Sequence, residues 1–166
     1  MDFQTLINYF TEHGLMLLFV IIFLEHLNLP GLPAGIIMPT AGFLLSQSTF
    51  NFLSTLCLSV LAGVLGSCLL YAIGYYLGSP LLSKLTKKNK LVAKEIEKAT
   101  DFQNKHGNKG VLIARLLPVV RTIVSLTSGT LRMPLRTFLS YSTIGILIYN
   151  TAFIAFGYFA GYLFLS

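Results

Sequence analysis

Two arginines flank a proline inside an apolar stretch, Arg115-Leu116-Leu117-Pro118-Val119-Val120-Arg121-Thr122. An arginine held at membrane depth is costly, and a functional role is its default reading. On an unbroken helix, side chains six residues apart point in well-separated directions. Pro118 breaks the helix between them, so both guanidiniums can converge. Two forked cations beside exposed helix ends make a cradle for a phosphate group. Arg115, Pro118, Arg121 and Thr122 are therefore the candidate residues for binding a phosphate headgroup. The competing reading is that both arginines snorkel to the interface from a shallow hairpin.

Glu25 is the only carboxylate between Glu12 and Glu95, and it sits where the first apolar stretch breaks. It could pair with one of the arginines, act as a proton-coupling group, or rest at a helix end among headgroups. His26 reads as a solvated interfacial histidine. Arg132 and Arg136, four apart before the last apolar run, read as interfacial anchors. Cys57 and Cys68 lie in one apolar run without CxxC spacing or a histidine cluster. They are expected to be small buried side chains, with no disulfide framework and no metal site. No pattern calls for a cofactor, and no residues stand out as catalytic.

The elements that must position these groups follow from composition and charge placement. Of the 166 residues, 54% are hydrophobic and only 11% are charged. Mean hydropathy is +0.73. An ordinary soluble domain carries roughly a quarter charged residues, and a disordered chain is polar. Both classes are excluded. From His26 to Ser83 there is no Asp, Glu, Lys or Arg; all eight lysines then fall between Lys84 and Lys109. The four arginines follow, and no charged side chain remains after Arg136. A net charge of +6 can indicate nucleic acid, but between apolar runs it points to a membrane surface. No basic residue precedes the first apolar stretch, so the N-terminus is expected to be retained and not cleaved as a signal peptide.

Gly14 to Leu24 is apolar but short, and the cluster Pro30-Gly31-Leu32-Pro33 interrupts it before apolar sequence resumes from Ile36 to Leu45. Two short arms around a breaker predict a re-entrant hairpin. Pro30, Pro33 and Gly42 are its breakers, and Gly129 serves the second hairpin. Phe52 to Leu77 is long enough to cross a bilayer. Val92, Ile96, Ala99 and Phe102 recur at helical spacing among lysines and predict an amphipathic linker helix. Gly110 to Met133 repeats the short, broken pattern, and Thr137 to Phe164 is a second crossing. The pattern also recurs in residues: Gly74-Tyr75-Tyr76-Leu77-Gly78 is echoed by Gly157-Tyr158-Phe159-Ala160-Gly161, Phe52-Leu53-Ser54 by Phe138-Leu139-Ser140, and Ala41-Gly42 by Ser128-Gly129.

The predicted fold is an all-α integral membrane protein. Two opposed re-entrant hairpins are each followed by a crossing helix, as an inverted repeat joined by a basic linker. It forms a single domain over residues 1–166, with halves at about 14–78 and 110–164 and the linker at 79–109. A hairpin returns to its own side and the crossing helix does not, so the second half starts on the opposite face, a layout typical of secondary transporters.

Arg115-x-x-Pro118-x-x-Arg121-Thr122, then Ser128-Gly129-x-x-x-Met133 and Phe138, resembles the signature of DedA membrane proteins, also called SNARE-associated or VTT-domain proteins. Phe102…Gly107 and Glu25…Pro30-x-x-Pro33…Ala41-Gly42 fit as well, so the resemblance runs from about Leu24 to Gly161. It implies two opposed re-entrant hairpins and movement of lipids across the membrane, with undecaprenyl phosphate and phospholipids such as phosphatidylethanolamine as cargo and coupling to the proton motive force in several members. Ser128 stands where the family usually has Ala, and Ser142 and Tyr149 where it often has Asn and Trp. Gly35 replaces a second acidic residue, leaving Glu25 as the matched carboxylate. Many members carry a further C-terminal helix beyond the point corresponding to Ser166, which is then absent here or supplied by a partner.

The function expected is a flippase-like transporter of a phosphate-bearing lipid in the cell membrane, with the 84–109 linker in the cytoplasm. Its partners are anionic or polyprenyl phosphate lipids and no nucleic acid, with a homo-oligomer left open. The alternatives are a small membrane scaffold without transport, dimerised through Gly74/Gly78 and Gly157/Gly161, or an enzyme acting on lipid phosphates. An enzyme would need a nucleophile and an acid/base group beside the arginines. His13, His26 and His106 stand in no such context and the sequence has no acidic cluster to hold a metal, so the chain is expected not to be an enzyme.

Overall fold

The computed structural model describes residues 3–27, 34–46, 50–88, 90–117, 120, 121 and 123–165. Among them all regular structure is helical: α1 (Phe3–His26), α2 (Ala34–Ser46), α3 (Phe52–Lys88), α4 (Lys90–His106), α5 (Lys109–Leu116), α6 (Ile123–Thr130) and α7 (Leu135–Leu165). Pro30, Pro33, Pro118 and Thr122 lie outside the described residues.

Among the described residues, two helices are long and apolar enough to cross a membrane, the stretch Phe52–Gly78 of α3 and Leu135–Leu163 of α7. Their 27 and 29 residues reach about 40 Å at 1.5 Å per residue, more than the roughly 30 Å of a hydrocarbon core. Both carry exposed apolar side chains along their length, Leu61, Leu65 and Leu69 on α3 and Ile144, Leu147, Ile148 and Phe156 on α7. Water would not tolerate so continuous a face. The first helix is longer than its apolar stretch: α1 extends back from Gly14 to Phe3.

The α3 crossing ends at Gly78, whose φ of 53° and ψ of −147° kink the helix before Pro80. A side chain would oppose that backbone geometry, and glycine permits it. Helix then resumes to Lys88, so the basic segment holds the end of α3 as well as the amphipathic helix. In α4, Ile96, Ala99 and Gln103 are buried while Glu97, Lys98, Asp101 and Lys105 face out. That face rests on α5 and α6.

The short helices α2 and α6 each pack against a long helix distant in sequence. The most extensive contacts join α2 to α7 and α6 to α3. A Cβ on Gly42 would strike Ile154 O and come within 2.8 Å of Tyr158 N; one on Gly129 would strike Tyr71 O and come within 2.8 Å of Tyr75 N. Gly157 and Gly74 meet Pro39 O and Leu126 O in the same way. Gly42 and Gly129 are 87 residues apart, and Ile154 and Tyr158 lie 83 residues beyond Tyr71 and Tyr75. One backbone-on-backbone contact is thus made twice. This corrects the expectation that Gly42 and Gly129 break their hairpins. Both lie inside helices and are glycine because a neighbouring backbone occupies the Cβ position.

Buried side chains form two clusters. One joins α3, α6 and α7 through Tyr71, Val124 and Phe138, and the other joins α1, α2 and α7 through Ile22, Met38 and Ile154. Cys57 is exposed and Cys68 half-buried, so the expectation of two buried cysteines fails for the first.

The close contacts give a stability test. Gly74→Ala and Gly157→Ala each force a methyl into a carbonyl on a neighbouring helix, which overpacking places at about 1–3 kcal/mol. Gly35→Ala, which meets nothing within 4 Å, is expected to leave stability unchanged or slightly higher. Unfolding of purified protein by sodium dodecyl sulfate measures all three. Equal midpoints would show that the glycines are not contact positions.

Candidate functional site

Arg115 ends α5 and Arg121 lies just before α6, so the break between these helices carries one guanidinium on each side. Both side chains are buried, at 2% and 3% exposure. The snorkelling reading fails on that burial. Around them gather α1, α6 and α7, each packed against α3.

The two arginines have different partners. Arg121 Nη2 donates to Glu25 Oε1 at the end of α1, and its guanidinium lies 4.1 Å above the ring of Tyr149. This ion pair ties the first half of the chain to the second across 96 residues. Arg115 Nη1 donates to Ser67 Oγ at 3.1 Å and Nη2 to Ser125 Oγ at 2.9 Å, with Phe138 5.5 Å from the guanidinium carbon. Among the described residues no carboxylate pairs with Arg115. One cation is neutralised and the other is held by hydroxyls alone, although a buried charge is normally paired.

Several buried polar atoms here have no protein partner: Arg115 Nε, Arg121 Nε, Glu25 Oε2 and the hydroxyls of Tyr149 and Ser142. Such groups are rare in a finished core and mark places where something else completes the bonding. Two donors on two arginines are free to meet a group rich in acceptor oxygens.

His26 corrects its sequence reading. It is 1% exposed, not solvated. Its Nδ1 faces Ile22 O at 3.0 Å and lies 3.1 Å from Glu25 Oε2. With the ring proton aimed at the Ile22 carbonyl, the carboxylate oxygen beside it has no aligned hydrogen bond. Gly63 and Gly66 of α3 make room for this ring: Cβ atoms there would come within 2.9 Å of His26 Nε2 and 2.8 Å of its Cβ. Gly145 of α7 does the same for Arg115, 2.9 Å from its Cβ.

Of the residues singled out in the sequence, the structure brings Arg115, Arg121 and Glu25 to one buried site. Arg132 and Arg136 stay exposed outside it. Sequence reasoning missed Ser67, Ser125 and Asn150. Asn150 Nδ2 donates to Ser59 Oγ at 3.1 Å between the two crossings. A signal for it existed: Asn150 is 83 residues beyond Ser67, the offset of the glycine echo, and both are polar residues inside apolar runs. Ser128 accepts a hydrogen bond from Gln103 of α4 and donates to Val124 O at 2.6 Å, so the hydroxyl that departs from the family pattern anchors the linker helix to α6.

The VTT domain family matches residues 32–159, most of the chain, including Arg115, Arg121, the first crossing and most of the second. The chain belongs to the VTT-domain proteins of the DedA family. It is 33% identical over 150 residues to Protein DedA of Escherichia coli strain K12, covering 87% of this chain and 68% of that one. It is 29% identical over 158 residues to Undecaprenyl phosphate transporter A of Staphylococcus aureus, covering 93% and 77%. It is 26% identical over 159 residues to a protein of Lactococcus lactis subsp. lactis named Alkaline phosphatase-like protein, covering 93% and 74%. No solved structure matches. With the apolar crossings, these likenesses make this VTT-domain chain a membrane protein.

Proposed function

We propose that this chain moves a phosphate-bearing lipid across the bilayer, with the headgroup received by Arg115 and the break beside it. The observation that carries the reading is a buried guanidinium bonded only to neutral hydroxyls. A phosphate would supply the missing negative charge and accept from the free Nε groups. The named likeness to an undecaprenyl phosphate transporter supports polyprenyl phosphate as cargo; a phospholipid, whose headgroup carries the same phosphate chemistry, is the second candidate. The α1–α2 and α5–α6 pairs act as opposed re-entrant hairpins in an inverted repeat. The twice-made glycine contact, with its constant offsets, supports that symmetry. Glu25, paired to Arg121 across the halves, is the proposed proton-coupling group.

The test is translocation by purified protein in vesicles, using fluorescent lipids with polyprenyl phosphate, phosphatidylethanolamine, phosphatidylglycerol and phosphate-free headgroups. The expected result is movement of phosphate lipids and not of a diacylglycerol analogue. The Lactococcus likeness favours one second reading, hydrolysis of a lipid phosphate. The same vesicles distinguish it, because inorganic phosphate would appear in step with protein and substrate.

The 84–109 linker is proposed to be cytoplasmic, a reading supported by its eight lysines under the positive-inside rule. Lys94 is exposed on α4. With Cys57 and Cys68 replaced by serine, Lys94→Cys is expected to resist an impermeant maleimide in intact cells and to label after permeabilisation. Labelling from outside would reverse the orientation.

A further inference from the structure

Arg132 lies outside the arginine site, and its backbone is unusual. Among the described residues it is the non-glycine residue with a positive φ, 52°. It sits just past the end of α6, where its own N–H donates to Gly129 O at 2.9 Å and that of Met133 to Ser128 O at 3.0 Å. That bond pair is the Schellman helix ending, whose left-handed position is usually glycine. An arginine there bears a conformational cost that glycine avoids. The interfacial-anchor role would not require that conformation.

The side chain stands at the boundary of two recesses. One is a groove of about 470 Å³ between the last turns of the α3 crossing and the start of α7, lined mainly by Cys68, Tyr71, Ala72, Tyr75 and Leu139. The other, of about 280 Å³, is more polar, with Gln103, Asn104 and Asn108 in its lining. Arg132, Met133 and Pro134 belong to both. The guanidinium carbon lies 5.8 Å from the ring centroid of Tyr75, and no carboxylate pairs with it among the described residues. Tyr76 and Leu135 at the rim are exposed. Tyr75 lies three residues before the end of the apolar stretch of α3 and Arg132 three residues before that of α7 begins. From Tyr75 down to Cys68 the apolar part descends about 10 Å along α3.

A cation between an apolar furrow and a polar pocket matches an amphiphile with a negative head. We propose that this groove binds one anionic phospholipid, its phosphate on the Arg132 guanidinium, its polar head toward Asn104 and Asn108, and an acyl chain along Tyr71 and Leu139. It is a site separate from Arg115 and Arg121, and occupancy needs no translocation, so it stands or falls independently of the transport reading.

The chain contains no tryptophan, so Leu135→Trp places a single reporter at the groove rim and Leu61→Trp a control on the exposed face of α3. Each purified full-length variant is reconstituted with brominated phosphatidylglycerol or brominated phosphatidylcholine. At Leu135→Trp the anionic lipid is expected to quench at least threefold more effectively, and at Leu61→Trp the two should quench alike. Adding Arg132→Gly or Arg132→Asn, both of which suit the left-handed backbone, is expected to remove the preference while Tm stays level or rises. Equal quenching by the two lipids at Leu135→Trp, or a preference that survives both substitutions, would overturn the proposal.

Discussion

Arg115→Lys is expected to fold like the parent chain and to move phosphate lipids at least tenfold more slowly. The guanidinium holds Ser67 and Ser125 with its two arms, and its Nε remains unpaired. A planar fork in that pose can offer a phosphate two-point recognition, whereas an ammonium is a point charge. Losing one charge-assisted hydrogen bond costs about 1.5–3 kcal/mol, and each 1.4 kcal/mol at the barrier is about tenfold in rate. Arg136→Lys, at an exposed position on α7, is the control and should transport normally. Initial rates in vesicles, normalised to reconstituted protein, give the comparison. Normal transport by Arg115→Lys alongside a failing Arg136→Lys would put the headgroup site elsewhere.

The largest stability effect is expected at the Glu25–Arg121 pair. Both side chains are buried, and the bond closes the contact between the end of α1 and the break before α6. Glu25→Gln leaves Arg121 as a buried cation facing an amide, and Arg121→Gln leaves the carboxylate with only the His26 ring 3.1 Å away. Removing one partner of a buried pair costs about 3–5 kcal/mol, whereas removing both charges together costs far less. The double substitution is therefore expected to be more stable than either single one. Unfolding in sodium dodecyl sulfate measures the cycle. Additive losses would mean that the two groups do not depend on each other in the fold. Transport by the double variant carries separate information: rates insensitive to a pH gradient would support Glu25 as the coupling group, and an unchanged gradient dependence would remove it from that role.

Much of this architecture was legible because the bilayer limits what a chain can do. Phe52–Leu77 and Thr137–Phe164 could be recognised as crossings from length and apolar content, within two residues of where α3 and α7 span. The amphipathic spacing of Ile96 and Ala99 identified α4 and its buried face. Arg115 and Arg121 stood out because a charge in an apolar run is costly enough to require a reason.

The elements and the rare polar residues thus follow from local composition and its period alone. The tertiary structure decided which polar group meets which. Spacing could not separate the roles of the two arginines. Only the packing of α1 against α3 brings Glu25 to Arg121, and only the crossing of α3 with α6 brings Ser67 and Ser125 to Arg115. His26 and Glu25 adjoin a break in the sequence and were open to an interfacial reading. Gly63 and Gly66, forty residues later on another helix, create the space that buries the histidine. Gly42 and Gly129 likewise look like breakers when seen as isolated glycines, and become contact positions once the backbones of α7 and α3 lie against them. Burial and pairing are properties of surfaces brought together from distant parts of the chain, which no local pattern encodes.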